Sequence, residues 1–172
     1  DIAGLHLVFV RWNEYSSNSL KILPEGLVEE INMLVGVVHP VSLHHLENSR
    51  TGRYLYDINH PHSNGVPEGF SSWEDWWRNS VTTFVSDLHD SMQVVKPFVR
   101  LSAAVLGRYN WGGWQGYGTV YQDGALWFNQ GFVDQLTPMH YHWTTPNGFA
   151  QMLQGSNESW LPYIQEGVSD GR

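Results

Sequence analysis

Residues 98–109 read FVRLSAAVLGRY, and this run decides the fold. It is an apolar stretch of strand length that ends in polar and aromatic groups. Two other runs are built the same way, residues 4–12 (GLHLVFVRW) and 132–143 (FVDQLTPMHYHW), and helical patterns lie between the three. In a parallel β/α protein the carboxyl ends of the strands form one shared rim, and chemistry collects there. The three runs therefore present three pieces of one site.

Residues 3–12 read as a buried strand, apolar on both faces. Residues 13–70 are polar and irregular, rich in Asn, Ser, Gly, Pro and His, with one helix expected at 24–35. So long a connection exceeds ordinary loop lengths and marks a functional insertion on the binding face. Ser71-Ser72-Trp73-Glu74-Asp75 is a helix start, with Ser71–Glu74 or Ser72–Asp75 as the capping pair. Trp77, Val81, Phe84, Leu88, Met92 and Val95 then recur at spacings of three and four, one apolar stripe facing a sheet. Pro97 ends that helix, and 98–106 is the second strand. A Gly- and Trp-rich loop (107–118) leads to a helix at 119–130 closed by Gly131, and 132–139 is the third strand. Thr145 caps a further helix with Pro146 in its first turn. The order is β–(insertion)–α–β–α–β–α. An open doubly wound sheet and a (β/α)8 barrel both fit, and three strands make only about half of a barrel. The start at Asp1-Ile2, directly before a strand, and the stop after a helical pattern at 167–172 both read as cuts in a longer chain.

The 172 residues, 41% hydrophobic and 15% charged, describe one globular domain. The net charge of −8 argues against a nucleic-acid partner. No apolar run is long enough for a membrane span. The absence of cysteine excludes disulfides and thiolate metal sites. Many of the 24 aromatic residues (9 Trp, 8 Tyr, 7 Phe) fall in Gly- or His-rich stretches such as YNWGGWQGY (109–117). Exposed ring faces beside polar groups suit sugars, whose C–H faces are apolar while their hydroxyls need hydrogen bonds. The competing role for each ring is to pack its loop onto the scaffold.

Residues 4–12 resemble the D-G-(I/L)-H-(L/F)-D strand, ending in R-Y-P, of the bacterial glycosyl-hydrolase-like barrels related to glycoside hydrolase family 10. Residues 73–85 (WEDWWRNSVTTFV) are similar to that family's DWRRxNVxxFV helix. Residues 96–102 (KPFVRLS) resemble its KPWVxxGxS strand entry. Tyr121-Gln122-Asp123, 131–134 (GFVD) and 138–141 (PMHY) resemble its YQDxxxWxxEGxxDxxxPMxY segment. The resemblance runs in family order over about 3–145. It implies a (β/α)8 barrel, of which this chain covers about the fourth to sixth strands, with 1–172 forming part of one domain. It also implies a secreted, periplasmic or surface-attached bacterial protein acting on polysaccharide or cell-wall glycan. Two positions depart from the pattern: Ala3 and Val8 stand where the family has Asp. Val8 can neither donate a proton nor attack.

Glycosidases of most families need two carboxylates, about 5–5.5 Å apart for retention and about 6.5–9.5 Å for inversion. Near the rim the acids are Asp123 at the start of a helix that follows a strand, Glu14 just beyond the first strand, and Asp57 and Glu68 in the insertion. Asp123, Glu14 and Asp57 are the catalytic candidates. The alternative for Asp123 is a helix cap. Asp134 opens its strand on the opposite rim, a structural position. Trp12, Trp111, Trp114 and Trp143 are the candidate ring platforms, and His140 and Tyr141 the candidate ligands for sugar hydroxyls. Arg11 is placed to pair with a site carboxylate. His6, Val8 and Val10 share a face by alternation, and His6 reads equally as a site group or a core histidine. The paired histidines (His44-His45, His60 and His62, His140 and His142) raise a metallohydrolase, but they lie in loops or straddle a strand end, and no metal or other cofactor is expected. The function so read is a glycoside hydrolase. The alternative is a non-catalytic carbohydrate-binding or cell-surface protein on a degenerate barrel.

Overall fold

A computed structural model describes residues 3–12, 66–155 and 158–172. The helix expected at 24–35 and most of the 13–70 insertion lie outside the described residues. The chain divides into two compact units, Asp1–Trp12 with Trp77–Arg172, and Asn13–Trp76.

The first unit is mixed α/β. Its three strands, β1 (Gly4–Leu7), β2 (Arg100–Leu106) and β3 (Gln135–Met139), are all parallel and lie in the order β1-β2-β3. Leu5 sits opposite Leu101, and Ala103 opposite both Leu7 and Leu136. The helices are α1 (Trp73–Val95), α2 (Gly116–Thr119), α3 (Gly124–Asn129), α4 (Pro146–Gln154) and α5 (Leu161–Ser169). Such a small parallel sheet with helical connections is compatible with a segment of a barrel.

β2 is the centre of the core, with Leu101, Ala103, Val105 and Leu106 fully enclosed. The inner face of α1 steps through Trp77, Val81, Val85, Leu88 and Met92, at intervals of four, four, three and four. The predicted stripe is thus corrected at two places. Phe84 and Val95 are exposed, and Val85, one residue from Phe84, takes the buried position. A spacing of three from Val81 admits Phe84 in the sequence, but the helical angle puts Val85 on the seam.

β1 departs further from expectation, since it is four residues long and mostly exposed rather than a buried strand over 3–12. Two causes combine. Among the described residues β1 has a strand neighbour on one side only, and Phe9 takes a φ of 58°, which ends the extended path. The alternation therefore stops at Leu7: Val10 is 8% exposed and Val8 57%, so the two do not share a face.

The helix expected over 119–130 is two helices, α2 and α3, parted by a break in which Tyr121 has a φ of 57°. Gln122 explains the break, because its buried amide turns back onto the sheet. Its Oε1 accepts from Leu106 N at 2.9 Å, and its Nε2 donates to the carbonyls of Val10 (3.2 Å) and Ala104 (3.1 Å). Gly131 follows α3 with a φ of 74°, the left-handed ending that the sequence announces. Thr145 Oγ1 accepts from Gly148 N at 3.1 Å and caps α4, with Pro146 in the first turn. Asp134 grips β2 twice. Its N–H donates to Leu101 O, and its Oδ2 accepts from Leu101 N, both at 2.7 Å. This is the structural duty expected of it.

In the second unit the described residues are 66–76. A turn closes with Phe70 N donating to Pro67 O at 3.2 Å, with Gly69 at a φ of 92°. Ser72 Oγ accepts from Asp75 N at 3.1 Å, so Ser72–Asp75 is the capping pair that forms. Ser71 Oγ also donates to the Asp75 carboxylate, and the rings of Trp73 and Trp76 meet edge to face.

Candidate functional site

All three strands deliver residues to one place at their carboxyl ends. Phe9 and Arg11 follow β1, Gly107 and Arg108 follow β2, and Tyr141, His142 and Trp143 follow β3. Together with Trp114, from the loop after β2, they line a cavity of about 440 Å³. A second cavity of about 270 Å³ is lined by Trp111, Gln151, Met152 and Glu158, and shares Arg108 and Trp143 with the first. The two form adjoining parts of one rim groove.

The close approach of β2 and β3 at this rim depends on Gly107. A Cβ there would stand 2.6 Å from Met139 O and 2.8 Å from the Trp143 ring. The Gly107 carbonyl accepts from Trp160 Nε1 at 2.9 Å and from His140 Nε2 at 3.2 Å, so that tautomer carries its proton on Nε2. The His140 ring is edge-on to Trp143 and Phe149. Burial lowers the pKa of His140 from its ordinary 6.5, with the Gly107 carbonyl opposing. His140 thus works as a neutral brace beneath Trp143.

The guanidinium of Arg11 lies 5.4 Å from the Phe9 ring and 5.8 Å from the Trp114 ring, and that of Arg108 lies 5.7 Å from Trp143. Arg108 also donates to the Gly112 carbonyl. Arg11 Nε and Nη1 are buried and meet no hydrogen-bond acceptor among the described residues. Among the described residues no carboxylate lines the first cavity. Glu158 brings one to the second, on a backbone with a φ of 48°. A non-glycine residue held in the left-handed region marks a position that its surroundings impose.

Of the candidates read from the sequence, Arg11, Trp114, Tyr141 and Trp143 come together in the first cavity, with Trp114 and Tyr141 exposed. Trp111 reaches the second, but it is largely core, stacked on Tyr163 at 5.9 Å with an interplanar angle of 16°. Trp12 lines a third, more open hollow with Arg11 and Phe84, and its indole N–H donates to Trp77 O at 2.9 Å. His6 is exposed and paired with Ser102 Oγ at 2.8 Å. Asp123 sits at the N-cap of α3, where its Oδ1 accepts from Leu126 N at 3.2 Å and from Tyr109 OH at 2.6 Å. Glu14 and Asp57 lie outside the described residues, and Glu68 is exposed in the second unit's turn. Sequence reasoning missed Phe9, Arg108, His142 and Glu158. Position directly after β2 was the available signal for Arg108, and the 140–143 cluster was the signal for His142. Neither the φ of Phe9 nor the approach of Glu158 leaves any local mark.

Among the described residues no three His, Asp or Glu side chains stand close enough to share a metal ion. None of the described helices is long and apolar enough to cross a membrane.

Ring faces beside polar groups at the ends of a parallel sheet are features that suit sugars. The family model described as glycosyl hydrolase-like 10 matches residues 42–167, and the chain belongs to that family. Membership points to a glycan as the ligand. The match begins after β1, so the likeness of residues 4–12 to the family strand rests on their own motif. No curated protein and no solved structure gives a significant match.

Proposed function

We propose that this chain is part of a glycoside hydrolase that cleaves glycan chains on a (β/α)8 barrel, of which β1–β3 are three successive strands. The observation that carries the reading is the pair of adjoining cavities at the strand ends, joined through Arg108 and Trp143. Two linked ring-walled hollows suit neighbouring sugar units, with the rings under the C–H faces and the arginines and His142 toward hydroxyls. The acid/base carboxylates come from Glu158, which faces the groove, and from Asp123, Glu14 and Asp57. Cell-wall glycan is the substrate class in view, with the protein secreted, periplasmic or surface-attached.

One observation favours a second reading. Val8 is followed by the break at Phe9, and among the described residues no carboxylate lines the first cavity, as in a carbohydrate-binding protein on a degenerate barrel. Reducing-end release from a glycan panel that includes cell-wall strands separates the two, using the chain unaltered, with Glu158→Gln and with Val8→Asp. Cleavage by the unaltered chain that Glu158→Gln removes supports the hydrolase. Binding by the unaltered chain without cleavage, with cleavage appearing only in Val8→Asp, supports the binding protein.

A further inference from the structure

The first cavity inverts the charge of the chain around it. The chain carries 17 acidic against 9 basic residues, yet two of those nine, Arg11 and Arg108, line this one hollow, and among the described residues no acid does. Both guanidinium groups lie near indole rings, Arg11 near Trp114 and Arg108 near Trp143. Arg11 is the unusual one. Its Nε and Nη1 are shut away from solvent, and among the described residues nothing accepts from them. A buried guanidinium with two unsatisfied N–H groups is costly, and the cost is relieved when an oxyanion arrives.

We infer that this cavity is a subsite for a sugar bearing an anionic group, a carboxylate or a sulfate ester, held by Arg11 and Arg108. Rotation of Arg11 toward the cavity brings its Nε–Nη2 edge to two oxygens of the anion, so that the unsatisfied Nε–H gains an acceptor within a bidentate pair and Nη1 comes within reach of a sugar hydroxyl. The planar guanidinium then stays close to the Trp114 ring, and the sugar ring lies against Trp143 or Tyr141 at the same wall. Neutral sugars gain the ring contacts but leave Arg11 as it is. The assignment rests on the glycan reading above and adds the charge of the substrate to it.

The test is calorimetric titration of the full chain with two matched pairs of probes. One pair is oligogalacturonate and its carboxyl-reduced counterpart. The other is κ-carrageenan oligosaccharide and its desulfated counterpart. The readout is the ratio of affinities, charged over neutral. A ratio of about tenfold or more in either pair, falling toward one in Arg11→Gln, supports the subsite, and the pair concerned names the anion. Arg108→Gln carries the same comparison if Arg11→Gln melts at the assay temperature. Equal binding of charged and neutral members overturns the subsite and leaves the glycan reading standing, as does a ratio that neither substitution changes. Binding of none of the four probes overturns the subsite, and the glycan reading is then decided separately by reducing-end release from cell-wall strands.

Discussion

The Tyr109 hydroxyl donates to Asp123 Oδ1 at 2.6 Å, tying the residue two places past Gly107 to the first cap of α3. Burial raises the pKa of Tyr109 well above its ordinary 10.0, and the Asp123 hydrogen bond and charge raise it further, so the phenol remains a donor. The same carboxylate oxygen accepts from Leu126 N. Asp123 therefore has a structural duty whether or not it takes part in chemistry. Asparagine caps a helix about as well as aspartate. Asp123→Asn is expected to lower stability by no more than about 1 kcal/mol by urea unfolding, whereas Asp123→Ala loses the cap and the Tyr109 bond and costs about 2 kcal/mol. If Asp123 is also an acid/base group, Asp123→Asn abolishes glycan cleavage while leaving the melt nearly unchanged.

Gln122 is the clearest case of one side chain holding two distant backbone segments, β2 and the turn at Val10. Its amide meets Leu106 N, Val10 O and Ala104 O, all buried. Gln122→Leu keeps the volume and strands all three groups. At about 1–3 kcal/mol for each unsatisfied buried group, a loss of at least about 3 kcal/mol is expected in chemical denaturation. Gln122→Ala ought to be no milder, since it adds a cavity. A loss below about 1 kcal/mol in both would show that water or backbone shifts replace the amide.

The second and third strands and the caps were readable because their causes are local, whereas β1 was expected as a longer, buried strand. Pro97, Gly131 and the Thr145-Pro146 pair act within a few residues of themselves, and each marks the end or start that it was expected to mark. What escaped the sequence depends on distant partners. Gln122 breaks the helix expected at 119–130 because its hydrogen bonds reach to Val10 and to β2, and nothing in residues 119–130 states that. Phe9 and Tyr121 take left-handed backbones that only surrounding structure imposes. The site divides the same way. Arg11, Trp114, Tyr141 and Trp143 stand at or near strand ends and were legible, while Glu158 reaches the groove only through the packing of α4.

Gly107→Ala tests whether the groove depends on the close approach of β2 and β3. The added methyl would lie 2.6 Å from Met139 O, a backbone atom with little freedom, and 2.8 Å from the Trp143 ring. Overpacking of this kind costs about 1–3 kcal/mol. Both cavities share Trp143, so its displacement should also weaken sugar binding. The expected result is a lower melting temperature together with a changed near-ultraviolet signal from tryptophan. An unaltered tryptophan signal with full sugar affinity would show that the rim does not need glycine there.

His140 supplies a pH dependence whose sign follows from its surroundings. Burial lowers its pKa in the folded chain below the ordinary 6.5, so over the interval between the two values the unfolded chain binds more protons than the folded one. Stability then rises with pH through that interval. The contribution is fully present above about pH 6.5 and is lost as pH falls toward the folded value. Protonation adds a proton at Nδ1 and keeps the Nε2–H bond to Gly107 O, so it acts on the groove wall through the charge it buries beside the Trp143 ring. Unfolding free energies measured from pH 7.5 down to 5 should decline, and sugar affinity should decline with them. His140→Gln keeps a donor toward Gly107 O and removes the titration. In that variant the part of the decline due to this residue disappears, and an unchanged slope would place the pH sensitivity elsewhere.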